Sequence, residues 1–393
     1  MTAAGAAAAA AALPVSSAAG APSPPPLPPP LNPDAFRERQ SKLKAAARAQ
    51  AVDALIVTPS ANLAYAANLG IGASERLTAL LLFSEGPATL VTPSFEEANV
   101  RRDAVVEEVV TWKEEEDPIA LAARLLSRAK TIGIEGSTPY GTVARLLAAT
   151  SLRPQDATPI FDALRRIKTE EEQAFIREAA RRTNLAIEAT HKKMSRGMTE
   201  LEVAEILERE FQRLGVHGGG LVQFGPSSAL PHGGPGERRL ASGDVVLIDC
   251  GCRVRGYTSD ITRTVAYGVA SDELRKVYAV VDRAQVAGIG ALRAGVSGAE
   301  ADRAARKVIE DAGYGASFTH RLGHGLGLDG HEPPYLVNGN TAPLAAGNTV
   351  TVEPGIYLSG KFGVRIEDDY AVRETSPPAS LSTRPADLVI VPA

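Results

Sequence analysis

The chain has 393 residues, 44% hydrophobic and 22% charged, which suits two globular domains with real cores and excludes a wholly disordered protein. Its 42 Lys and Arg nearly balance 46 Asp and Glu, and a pI of about 6.0 leaves no basic face for nucleic acid or an anionic membrane. Two cysteines cannot make a disulfide framework, which fits a reducing, cytoplasmic setting.

Residues 1–33 hold an alanine run at 6–12 and nine of the 27 prolines, a composition that predicts a disordered extension. No Lys or Arg precedes Arg37, so the positive start of an export signal is missing. No stretch reaches the roughly 20 apolar residues of a membrane span. From residue 34 to about 160 the pattern is that of a small α/β domain. A helix over 34–51 leads into strands at 54–58, 78–83, 88–92 and 131–135, with helices around 96–102, 118–130 and 142–149. This region carries no cluster of catalytic side chains.

A second domain, 161–393, starts with a capping box at Thr169 and Glu172, which opens a helix. Another box follows at Thr199 and Glu202, with Leu201, Ala204, Leu207, Phe211 and Leu214 forming an apolar helical stripe that reads as core. The pattern recurs 98 residues on: Gly197, Thr199, Glu202 and Gly215 correspond to Gly295, Ser297, Glu300 and Gly313. Each copy follows a long helix, 170–193 and 272–293, and precedes strands. The domain therefore reads as a duplicated helix–helix–strand unit, with any shared site where the halves meet.

Five potential metal ligands run through the last third: Asp249, Asp260, His324, Glu353 and Glu367. Asp249 and Asp260 flank a turn near Val254 and Arg255, and Glu353 and Glu367 flank one at Gly360, so each pair is expected to face across a hairpin. Facing like charges are destabilising unless a cation neutralises them. Asp249 also ends the apolar run Val245-Val246-Leu247-Ile248, where an unpaired carboxylate is costly to bury. Cys250 and Cys252, alternating with it, point to the opposite face as packing residues. His324 lies between Gly323 and Gly325, which let backbone approach a crowded centre. The stretch Gly325-Leu326-Gly327-Leu328-Asp329-Gly330 also fits a dinucleotide fingerprint, but Pro333 and Pro334 forbid the helix that fingerprint needs. Four carboxylates and one imidazole suit two divalent ions, Mn²⁺ first and Co²⁺ or Zn²⁺ next.

These residues stand in Ile248-Asp249-Cys250-Gly251, Tyr257-Thr258-Ser259-Asp260-Ile261-Thr262-Arg263-Thr264, Gly323-His324-Gly325-Leu326-Gly327, His331-Glu332, Val352-Glu353-Pro354-Gly355 and Arg365-Ile366-Glu367-Asp368. Together they resemble the pita-bread metallopeptidases, the family of methionine aminopeptidase, prolidase and aminopeptidase P. The resemblance implies an α/β (α+β) pita-bread catalytic domain with internal pseudo-two-fold duplication, and the long preceding domain resembles the smaller α/β creatinase-like domain of the proline-directed members. It implies that Asp260 and Glu367 bridge two metals, that Asp249 holds one and that His324 with Glu353 holds the other. A bridging hydroxide then attacks the carbonyl before proline. By the same resemblance Glu353 shuttles the proton, His232 contacts the substrate and His331 supports the tetrahedral intermediate. His320 lines the proline pocket, and Arg365 orients a ligand or the substrate. His191 and His217 match nothing and are expected in solvent. A homodimer acting on short peptides with proline in second position is implied, with no nucleic-acid or membrane partner.

An Xaa–Pro bond is a tertiary amide without an N–H, so a peptidase needs a dedicated pocket and a proton donor for the ring nitrogen. Some prolidases place an arginine shortly after the His-Glu pair to hold the dipeptide's carboxylate. Here Pro333-Pro334-Tyr335 carries no cation, which favours an aminopeptidase taking longer peptides, although Arg238, Arg239 or Arg321 offers a substitute. The alternatives are a catalytically lapsed peptide-binding module, which the complete ligand set opposes, and an aminopeptidase without proline specificity. A creatinase-like carbon–nitrogen hydrolase, whose chemistry does not use these metals, is disfavoured.

Overall fold

The structure, a computed structural model, describes residues 26–393. Most of the extension expected to be disordered therefore lies outside the described residues. Its last part packs: Leu27 and Leu31 lie against a core of the second half, and the Pro28 carbonyl accepts from Arg255 Nε at 2.9 Å.

Helix α1 (Pro33–Ala49) is started by Asn32, whose side chain accepts from the Asp34 N–H, with proline at the first helical position. After it come β1 (Ala54–Val57), α2 (Ala61–Ala67), β2 (Ala79–Phe83), β3 (Ala88–Pro93), α3 (Glu97–Asp103), β4 (Glu108–Trp112), α4 (Pro118–Leu125), β5 (Thr131–Ile134), α5 (Tyr140–Ala148), β6 (Arg153–Asp156) and α6 (Thr158–Arg165). The six strands form one sheet in the order β4-β3-β2-β1-β5-β6. Successive residues of β1 feed opposite cores, Leu55 and Val57 on one face and Ala54 and Ile56 on the other. A sheet covered on both faces reads as continuous apolar runs, which is how its four inner strands were legible. Of the two edge strands, β6 is polar and mostly exposed, and β4 is short, starts within a pair of glutamates and is buried only at Trp112, so neither shows such a run.

The second half begins with α7 (Glu170–His191) and α8 (Glu200–Arg213), then β7 (Gly218–Phe224), β8 (Val245–Val254), β9 (Tyr257–Thr258) and β10 (Ile261–Tyr267). The second copy is α9 (Asp272–Ala291), α10 (Gly298–Asp311), β11 (Gly323–Gly325), β12 (Glu332–Leu336), β13 (Thr349–Val352), β14 (Gly355–Leu358), β15 (Phe362–Arg365) and β16 (Asp368–Ala371). The repeat read from sequence is structural: α8 and α10 have the same length, each opens on a complete capping box, and each starts and ends 98 residues from the other. One sheet joins β7, β8 and β10, with Ile390–Val391 beside β10; the other runs β12-β11-β13-β16, and β14 with β15 makes a separate hairpin. Pro333 and Pro334 lie in β12, at that sheet's edge, and no helix follows Gly325.

The register corrects one expectation. Arg255 and Gly256, both at positive φ, form the turn, so Asp249 pairs with Thr262 and not with Asp260. Asp260 precedes β10 by one residue and is the diagonal neighbour of Asp249 on the same face. The glutamates do oppose each other, because Val352 pairs with Asp368 and Gly355 with Arg365 in one continuous register around them. Cys250 and Cys252 face the core under α7 as expected, with Cys252 Sγ donating to the Ala179 carbonyl at 3.3 Å.

Candidate metal centre and active site

The first sheet supplies the aspartates and the second supplies His324, Glu353 and Glu367, so the donors meet where the halves face each other. Ligand atoms of Asp249, Asp260 and Glu367 lie within 4.8 Å of one another, as do those of His324, Glu353 and Glu367, and those of Asp260, His324 and His331. Glu367, Asp260 and His324 each belong to two of these groups. Close approach is possible because β11 lacks side chains beside His324: a Cβ on Gly323 would sit 2.1 Å from the Thr351 carbonyl oxygen, and one on Gly325 2.4 Å from that of Glu332.

His324 presents a free ring nitrogen to the carboxylates. Its Nδ1 donates to the Gly325 carbonyl at 3.0 Å, which leaves the Nε2 lone pair 3.4 Å from Glu353 and 3.7 Å from Asp260. Burial lowers its pKa to about 3, so the ring is neutral near pH 7. The acids show the opposite strain. Burial, then Asp249, pushes Asp260 well above the carboxylate range; burial, then Asp260, does the same to Glu367; and burial raises Glu353 to about 8. Asp369, behind the site, accepts the Asp260 N–H at 3.2 Å and is also raised by burial. So many crowded carboxylates opposite a neutral imidazole lone pair make a donor set that a divalent cation satisfies.

A cavity of about 420 Å³ opens over the donors, and its walls include Pro231, His232, His320, Arg321, His331 and Arg365. Every site residue read from sequence faces this one space. His331 packs edge-on to His324 with ring centroids 4.0 Å apart, and His232 is exposed at the rim. Arg365 is buried and donates to Asp249, to Thr262 Oγ1 at 2.9 Å and to Tyr357 Oη at 2.7 Å. Tyr357 was not singled out in the sequence, yet its hydroxyl also bonds His320 Nε2 at 2.8 Å. Because His320 Nδ1 meets the Arg321 carbonyl at 2.7 Å, that nitrogen carries the proton, and Tyr357 must donate to Nε2 while accepting from Arg365. The signal available was its place two residues after Gly355 on the strand following Glu353. Thr262, which donates to Glu367 at 2.6 Å, was missed as well, because the expected register set Asp260 and not Thr262 opposite Asp249.

A buried charge network ties this site to the first half. Glu332, next to His331, accepts from Lys168 and Arg165, and Arg165 also reaches Asp329 at 2.7 Å and Asn62 at 2.7 Å. Of the two unmatched histidines, His217 is exposed as expected. His191 is not: it is half-buried, its Nε2 has neither solvent nor a hydrogen-bond partner, and it lines a small cavity of about 140 Å³ with Arg263 and Tyr278. It ends α7 on the face turned to β10, a placement the helical period alone does not reveal.

A family model for metallopeptidase family M24 matches residues 174–374, which contain every donor named above. The chain belongs to metallopeptidase family M24. A model of the Creatinase/Prolidase N-terminal domain matches residues 39–167 of this M24 protein. An uncharacterized peptidase of Staphylococcus aureus is 36% identical over 330 residues, 82% of this chain and 93% of its own. The crystal structure of dipeptidase PepE from Mycobacterium ulcerans superposes with a TM-score of 0.86 at 34% identity, covering 93% of this chain and all of that one. An Xaa-Pro dipeptidase from Bacillus anthracis gives 0.83 at 33% identity, covering 90% and 99%. The pita-bread fold with a creatinase-like domain in front, expected from the motifs, is thus the fold of this M24 chain.

Proposed function

We propose that this M24 protein is a metal-dependent exopeptidase that removes the first residue from peptides with proline in second position. The observation that carries the reading is one cavity walled by four carboxylates, the His324 imidazole and three further histidines. Asp249, Asp260 and Glu367 would hold one ion, and His324, Glu353 and Glu367 a second, with Asp260 shared as well. When bound, such a pair lowers the pKa of water and polarises the scissile carbonyl. Manganese, a homodimer and a cytoplasmic location complete the reading, on the strength of the resemblance and the oxygen-rich donors.

In this reading Glu353 takes the proton of the attacking water and passes it to the departing proline nitrogen. His331, beside His324, steadies the tetrahedral oxygen, and His232 contacts the substrate from the rim. His320 forms the proline wall with its ring fixed by Tyr357. Arg365 holds Asp249 in place.

The test uses manganese-loaded protein with Leu-Pro, Leu-Ala and N-acetyl-Leu-Pro. Free leucine from Leu-Pro, faster than from Leu-Ala, with the blocked peptide left intact, is the expected result. Equal rates on Leu-Pro and Leu-Ala would remove the proline specificity, and cleavage of the blocked peptide would remove the exopeptidase reading.

A further inference from the structure

Two guanidinium groups stand in the cavity wall, and the structure uses them differently. Arg365 is saturated by Asp249, Thr262 and Tyr357. Arg321 makes no hydrogen bond or ion pair with its side chain to any described residue. Its guanidinium lies over the Tyr335 ring, 4.7 Å from the centroid, half-buried and facing the cavity. Stacking on an aromatic face fixes the plane of the group and leaves its N–H donors free for a planar anion.

The substrate has one such anion if it is a dipeptide. Its terminal carboxylate carbon lies within about 4 Å of the scissile carbonyl carbon along the chain, so it must sit in this same cavity. The four acidic side chains there are engaged with the bound ions in the reading above, so a free cation in the wall is the group that can pair with it. A longer peptide or an amide presents a neutral carbonyl at that point and needs no cation. We infer that Arg321, stacked on Tyr335, receives the terminal carboxylate of the substrate and makes this protein a dipeptidase. The inference rests on the exopeptidase reading above. It reverses the preference for longer peptides drawn from Pro333-Pro334-Tyr335: that segment has no cation of its own, but Tyr335 carries one delivered by the residue after His320.

The experiment measures kcat and KM of manganese-loaded wild type, Arg321→Met and Arg321→Lys on Leu-Pro, Leu-Pro-amide and Leu-Pro-Gly. Wild type is expected to favour Leu-Pro over its amide by roughly 30-fold or more in kcat/KM, the size of a lost charge-assisted pair. Arg321→Met should lose that preference mainly through KM while its activity on the amide stays within about threefold, and Arg321→Lys should recover part of it. Retained amide activity shows that the variant is folded. Wild type that cleaves Leu-Pro-Gly as well as Leu-Pro, or a variant that loses both substrates equally, overturns the inference. If wild type instead prefers Leu-Ala to Leu-Pro, the proline reading fails separately, and the same ratio taken on Leu-Ala and its amide decides the role of Arg321.

Discussion

At the scale of single residues, the site is governed by which groups can hold a proton and which cannot. Tyr357 accepts from Arg365 and donates to His320, so one hydroxyl sets the orientation of a wall residue and of the arginine that holds Asp249. Tyr357→Phe removes both bonds with little change of volume. It should lower kcat/KM about tenfold and stability by about 1–2 kcal/mol, read from steady-state rates and denaturant unfolding. His191 offers a second test away from the donors. Its pKa in the folded protein is lowered to about 4 by burial, with Arg263 adding to the effect, against 6.5 when unfolded. Between those values the unfolded chain takes up a proton that the folded chain refuses, so stability falls as pH drops from about 6.5 to 4, by up to roughly 3 kcal/mol. His191→Leu should flatten that acid limb in unfolding curves of the metal-free protein; an unchanged limb would show that other groups cause it.

At the scale of elements, the centre depends on strands that approach more closely than side chains allow. Gly323 faces the Thr351 carbonyl, and Thr351 stands two residues before Glu353. Gly323→Ala must push β13 away from β11, which should cost about 2–3 kcal/mol and weaken metal binding together, seen as a lower Tm and a smaller metal-induced Tm shift. This glycine, and the donor order around it, could be read from the sequence because glycine and charge inside apolar runs have few other uses. The repeat was legible for a similar reason, since capping boxes and positive-φ glycines recur at a fixed offset. Edge strands β4 and β6 were not, because β6 is polar and β4 offers only Val109, Val110 and Trp112 beside an open edge, too short a run to read as a strand. The Asp249 hairpin was displaced by one turn position, although Gly256 carried the needed clue: a two-residue turn with both φ positive favours glycine second. Arg321 was legible only as one of three spare arginines and Tyr357 only by its place near Glu353, since what each does comes from partners far along the chain or from a ring that lies beneath.

At the scale of the molecule, the halves are joined through charge as well as packing. Arg39 in α1 bonds Glu172 at 2.7 Å and Tyr257 at 2.9 Å, and Arg165 with Lys168 surrounds Glu332 beside His331. These pairs are buried, so each partner is needed to offset the desolvation of the other. The first domain, which contributes no metal donor, thereby reaches Glu332, the first residue of β12 and the neighbour of His331, through the bond of Asn62 to Arg165. The central claim is that the donors gathered between the two repeats form a metal site on which hydrolysis depends. It is tested most directly by stripping the protein with a chelator and adding Mn²⁺ stepwise while bound metal and Leu-Pro hydrolysis are followed together, for wild type and Asp260→Asn. Wild type should be inactive when stripped and regain full rate as about two equivalents bind, while Asp260→Asn should lose roughly 100-fold or more in kcat/KM and hold less metal. Hydrolysis by the stripped protein, or an Asp260→Asn variant with full activity and full metal content, would contradict the account.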